Sequence, residues 1–108
     1  MAQFDVHRNP GRSRHAFPYL VVVQSAWFDD VDSRLVAPLI LEAAVAGIPK
    51  PPHMPRFVVE GHRVLLDPLQ IQPLPRRLLG QPIASLAEGD AAAEIIGAID
   101  RVITRADG

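Results

Sequence analysis

Four histidines, His7, His15, His53 and His62, are the first candidates for metal or proton chemistry in this chain. None stands at HxH, HxxxH or HExxH spacing, which places two imidazoles on one side of a strand or helix. A zinc site would have to assemble from distant segments, so hydrogen-bonded or surface histidines are expected. Asp29-Asp30-Val31-Asp32 forms an acidic cluster. It lacks the spaced oxygen ligands, central glycine and closing glutamate of a calcium loop, and reads as a solvated turn. With no cysteine in the chain, a thiol nucleophile, a disulfide and a thiolate zinc site are all excluded. Ser13, Ser25, Ser33 and Ser85 lie in no GxSxG context, and no glycine-rich phosphate loop or dinucleotide fingerprint occurs. Arg12 with Arg14 and Arg76 with Arg77 are isolated basic pairs, typical of solvated turns. These residues give no basis for catalysis, a cofactor or a metal. The expectation is a protein that acts by binding another macromolecule.

Trp27-Phe28, next to the acidic cluster, is the feature best suited to binding. Aromatic side chains in a polar loop either fold back into the core, the commoner fate, or are held out as an anchor for a partner.

The elements that must position these residues are marked by eleven prolines, which exclude a mostly helical chain. Between them lie short runs rich in β-branched residues that read as strands. Tyr19 to Ser25 is apolar enough for burial on both faces, as at the centre of a sheet. Gln3 to His7 alternates, with Phe4 and Val6 on one face and Asp5 and His7 on the other. Arg34 to Leu41 is a further run in which Pro38 suggests a bulge or an edge. Phe57 to Leu66 reads as a hairpin turning at Glu60-Gly61, where glycine takes positive φ without steric cost. Gln70 to Leu74 reads as a further short strand in the same series. Ile48 to Pro55 contains overlapping PxxP spacings but is expected to be a stiff connection.

After Gln81 the pattern changes. Ser85-Leu86-Ala87-Glu88 has capping-box spacing, and Gly89-Asp90 offers a second helix start with Asp90 as N-cap. Ile95, Ile99, Val102 and Ile103 then form one apolar helical stripe, expected to dock the helix, with Glu94, Asp100, Arg101 and Arg105 off it. The fold class expected is mainly β with a C-terminal α-helix.

A chain of 108 residues allows one domain, 1–108, modestly stable alone and suited to pairing with a second copy. Its net charge of −1 gives no electrostatic reason to expect nucleic acid as a direct ligand. Neither a secretory signal nor a membrane-spanning apolar run is visible, so a cytoplasmic location without membrane contact is expected.

Several ordered segments resemble the CcdB family of toxins. These are Gln3-Phe4-Asp5-Val6, the run Leu20 to Ser25 ending in Val-Gln-Ser, and Ser33 to Leu39 with its Arg-x-Val-x-Pro-Leu pattern. Leu79-Gly80, Ile83 to Leu86, Glu94-Ile95 and Ala98-Ile99-Asp100 continue the match nearly end to end. The resemblance implies an SH3-like β-barrel with a small extra sheet and a C-terminal helix, in a homodimer. It further implies the toxin of a type II toxin–antitoxin pair that poisons DNA gyrase through its A subunit. A CcdA-like antitoxin neutralises such a toxin, and the complex represses its own operon, so DNA is met only through that complex. The family's target contact falls here on Trp27, Phe28, Asp100 and Ile103, followed by Thr104 and Arg105. Well-known members end in Trp-Gly-Ile at that point, whereas this chain has Thr104-Arg105-Ala106. An alternative is therefore an antitoxin-binding module that has lost gyrase poisoning. An RNA-cleaving relative on the same barrel needs a convergent acid and base, which no sequence pattern proposes.

Overall fold

The computed structural model describes residues 2–49 and 53–103. Seven strands form one antiparallel sheet: β1 (Asp5–Arg8), β2 (Tyr19–Val22), β3 (Ser33–Leu41), β4 (Arg56–Val59), β5 (His62–Leu66), β6 (Gln72–Pro75) and β7 (Ala84–Ser85). One helix, α1 (Asp90–Ile103), follows. The spatial order is β4-β5-β3-β2-β1-β7, with β6 pairing β3. The fold is thus mainly β, a nearly closed barrel-shaped sheet with a C-terminal helix, as the strand and helix patterns indicate.

Strand β2 is buried along its whole length, and its two faces serve two clusters. Tyr19 and Val21 join Phe4, Val6, Ala37, Leu39, Phe57, Val59, Val64, Leu66, Leu86 and Ile95 in the main core. Leu20 and Val22 pack with Val36 and Leu79 on the other side. This is the double-sided burial that the unbroken apolar run requires. The strand is shorter than the run, because the chain leaves the sheet after a last bond from Val23 N to Leu35 O (2.9 Å).

Strand β3 organises the sheet. One edge pairs with β2 over Val36 to Leu39; the other pairs with β6 over Ser33 to Val36 and with β5 over Leu39 to Leu41. Pro38 lies between the β6 and β5 pairings. Its carbonyl accepts from Asp67 N (3.1 Å), on the side where β5 ends. A strand residue's N and O face the same way, so its missing N–H falls in the gap between two partners. The proline therefore sits in an interior strand without removing a ladder bond.

The hairpin turns where expected, with Glu60 at φ 51° and Gly61 at φ 80°, the paired left-handed residues that match strand twist. The N-terminal strand begins later than Gln3, because buried Phe4 has φ 70° and turns the chain. Its amide donates to Val22 O (2.6 Å) and its carbonyl accepts from Leu86 N (2.9 Å). These bonds and its core packing hold an aromatic residue in a conformation that costs about 1–3 kcal/mol.

The Ser85-Glu88 spacing does not start a helix. Ser85 belongs to β7, and its hydroxyl accepts from Ala87 N (3.2 Å) in a local turn. Pairing of β7 with β1 through Asp5 and Val6 outcompetes a capping box there. The helix begins at Asp90, after Gly89 at φ 64°. Of the PxxP segment, residues 50–52 lie outside the described residues.

Candidate functional site

Residues 24–32 leave the sheet between β2 and β3 as a loop in which Ala26–Phe28 form a single 3-10 turn. Ser25 Oγ accepts from Trp27 N (3.2 Å) and caps that turn. Trp27 is 89 % exposed and Phe28 57 %. The aromatic pair is held out from the barrel, against the commoner fate of core packing. Ala26 to Asp32 are all exposed, so apolar burial does not fix the loop's shape.

Two buried polar side chains fix it. Gln24 Nε2 donates to Phe28 O and Ser33 O (3.1 Å each), while its Oε1 accepts from Leu35 N (3.0 Å). Arg34, 2 % exposed, sends its guanidinium back into the loop. Its Nη2 donates to Asp29 O (2.6 Å), and its Nη1 donates to Ser33 O (2.9 Å) and to Val31 O. Both residues stand in the segments that carry the family resemblance, Val-Gln-Ser and Arg-x-Val-x-Pro-Leu, but the sequence alone gives neither a role. The available signal was a basic residue two positions before Val36, on an inward-facing alternation of a strand. Asp29, Asp30 and Asp32 follow the aromatic pair in sequence, and Arg76 ties Asp32 to the segment after β6 (Arg76 N to Asp32 O, 2.7 Å).

The helix offers a second exposed surface. Ile95 and Ala98 are buried, and Ala91, Ala92 and Ile99 pack on the main core. Of the apolar stripe, Ile95 and Ile99 dock on the core, whereas Val102 and Ile103 remain largely in solvent. Val102 is 41 % and Ile103 75 % exposed. Asp100 and Arg101 are also exposed. Thr104 and Arg105 lie outside the described residues. Among the described residues no hydrogen bond or ion pair joins the Trp27 loop to α1.

Titratable groups converge at the hairpin tip instead. Glu60 accepts from Arg8 Nη2 (2.8 Å) and from the Tyr19 hydroxyl (3.0 Å). These bonds, the tyrosine's first, hold the Glu60 carboxyl below its ordinary range. Burial, then the Glu60 bond and charge, pushes the Tyr19 hydroxyl up. The trio connects the β4–β5 tip to β1 and β2. His7 is fully buried, with Nδ1 2.9 Å from Gly80 O, a structural histidine of the hydrogen-bonded kind.

A cleft of about 550 Å³ runs between the β1–β2 loop and β6, lined by Asn9, Phe17, Leu20, Ile71, Leu74 and their neighbours. Its lining contains no titratable side chain, so it offers neither acid nor base. Among the described residues no group of three His, Asp or Glu side chains could hold a metal ion. No described helix is long and apolar enough to cross a membrane.

The family model described as CcdB protein matches residues 3–105. A search of the curated proteins found no match. The family match spans the strands, the Trp27 loop and the helix alike, and with it the chain belongs to the CcdB family, a family of toxin–antitoxin toxins.

Proposed function

We propose that this protein is the toxin component of a type II toxin–antitoxin pair and that it captures the A subunit of DNA gyrase or a related topoisomerase. It acts by surface contact that traps a protein–DNA intermediate, and no bond is made or broken by this chain. Family membership supports the toxin class. The observation that carries the contact surface is the exposed Trp27 and Phe28 on a loop held by buried polar groups. A large aromatic side chain held in water in the free protein gains its burial only on binding, the behaviour of an interface anchor. Asp100 and Ile103, both exposed, extend the surface at the helix end, and the family resemblance adds Thr104 and Arg105, which lie outside the described residues. The working form in this reading is a cytoplasmic homodimer of one-domain chains, 1–108. A CcdA-like antitoxin neutralises it, and DNA is met through that complex.

Expression without the antitoxin in a gyrase-sensitive bacterium tests the proposal. Growth arrest, with gyrase-mediated DNA cleavage by the purified protein, is the expected result. Unimpaired growth together with no cleavage rejects it. A second reading is an antitoxin-binding module without toxicity. It is favoured by Thr104-Arg105-Ala106, which stand where well-known members carry Trp-Gly-Ile. Capture of the antitoxin without growth arrest selects that reading.

A further inference from the structure

We infer that Arg34 and Gln24 are positioning residues that lock the 25–32 loop into a preformed mount for Trp27. The inference rests on the target-binding reading for its consequence, but the lock itself is read from the loop alone.

The loop has little else to hold it. Residues 26–32 bury no side chain, yet the chain there adopts one compact path with a 3-10 turn at its head. An exposed segment without apolar contacts ordinarily samples many conformations. Here the Arg34 guanidinium reaches the carbonyls of Asp29, Val31 and Ser33 from inside the protein. Among the described residues no carboxylate pairs with it, so these carbonyl dipoles serve as its counter-charge. Opening the loop would leave a guanidinium that is 2 % exposed without acceptors, which is strongly unfavourable. Gln24, 8 % exposed, acts from the β2 end of the loop, using its amide N–H groups on Phe28 O and Ser33 O and its oxygen on Leu35 N. Loop opening is thereby coupled to stranding two buried polar groups. A partner that takes the Trp27 ring meets it already placed, without the ordering cost of a mobile loop.

Trp27 is the single tryptophan in the chain, so its fluorescence reports this loop directly. In the wild-type protein, hydrogen exchange should show protected amides at Trp27 and Leu35, and exchange at unprotected rates there overturns the inference. Arg34→Lys keeps the charge but loses the fork, and Gln24→Met keeps the volume but loses the donors. Each should lower Trp27 anisotropy and speed chymotryptic cleavage after Trp27 or Phe28 by about tenfold, at an unchanged far-ultraviolet circular dichroism spectrum. If Arg34→Lys does not fold, Gln24→Met and the wild-type exchange decide. Folded variants with wild-type anisotropy and cleavage overturn the inference.

Binding to a purified gyrase A fragment should weaken about tenfold in each variant, as the competent loop population falls by that factor. In a Trp27→Ala background, adding Arg34→Lys should change that affinity less than twofold, because the lock acts through the ring it places. A merely structural role would weaken binding in both backgrounds. A loop that behaves as described in a protein that does not bind gyrase rejects the target and leaves the lock standing. Gyrase binding that is indifferent to Arg34 and Gln24 rejects the lock and leaves the target standing.

Discussion

At 89 % exposure Trp27 contributes almost nothing to the packed interior, so its removal separates binding from stability. We expect Trp27→Ala to weaken target binding by about thirtyfold or more, the loss of an aromatic anchor worth about 2 kcal/mol. Its unfolding free energy should stay within about 0.5 kcal/mol of wild type, as measured by urea titration. Glu60 has the opposite assignment, structural and titratable. Its carboxyl is held low by the Tyr19 hydroxyl and then by Arg8, relative to an ordinary value of 4.5. A carboxyl depressed in the folded state stabilises it fully above the unfolded pKa and loses that contribution as pH falls through the folded value. Wild-type melting temperature should therefore drop on acidification below about pH 4.5, and Glu60→Gln should lower the neutral-pH value and flatten that limb. An acid limb that keeps its wild-type steepness in Glu60→Gln places the responsible carboxylate elsewhere.

Helix α1 divides into a docked half and an exposed half. Ile95 is fully buried in the main core, and Ile95→Ala should cost about 2–5 kcal/mol in denaturant unfolding. Ile103, 75 % exposed, should tolerate Ile103→Ser within about 0.5 kcal/mol while weakening target capture measurable by surface plasmon resonance. The sequence conveyed these elements unevenly, for physical reasons. The double-sided burial of Tyr19 to Val22 and the Glu60-Gly61 turn are local signals, carried by composition and by glycine's freedom. The apolar helix stripe is local as well, but where it stops being covered depends on tertiary packing. Ser85 misled because a capping-box spacing is also compatible with a short strand, and β1 claims that strand at Asp5 and Val6. The loop that holds Trp27 was the least legible part. Its shape comes from Arg34 and Gln24 bonding to main-chain atoms up to eleven residues away, a pattern with no period and no composition.

For the whole molecule, the sheet is nearly closed, and the Arg8–Glu60–Tyr19 trio ties the β4–β5 turn to β1 and β2. A barrel this small leaves apolar side chains at its surface, among them Phe28, Leu35 and Leu78. That exposure accords with the proposed pairing of two copies. Light scattering at micromolar concentration should report twice the monomer mass, and a monomer there rejects the pairing. Fold class was legible from the alternation of short strands and a closing helix, while the family resemblance required ordered segments spread along nearly the entire chain. The Arg34 lock has a consequence at this scale too. Its three bonds run to carbonyl oxygens, which every amino acid supplies alike. Residues 26–32 can therefore exchange side chains without altering the bonds that shape their backbone. Shape is inherited from the strand, while surface chemistry is free to drift, and a lineage can try new targets on an unchanged mount.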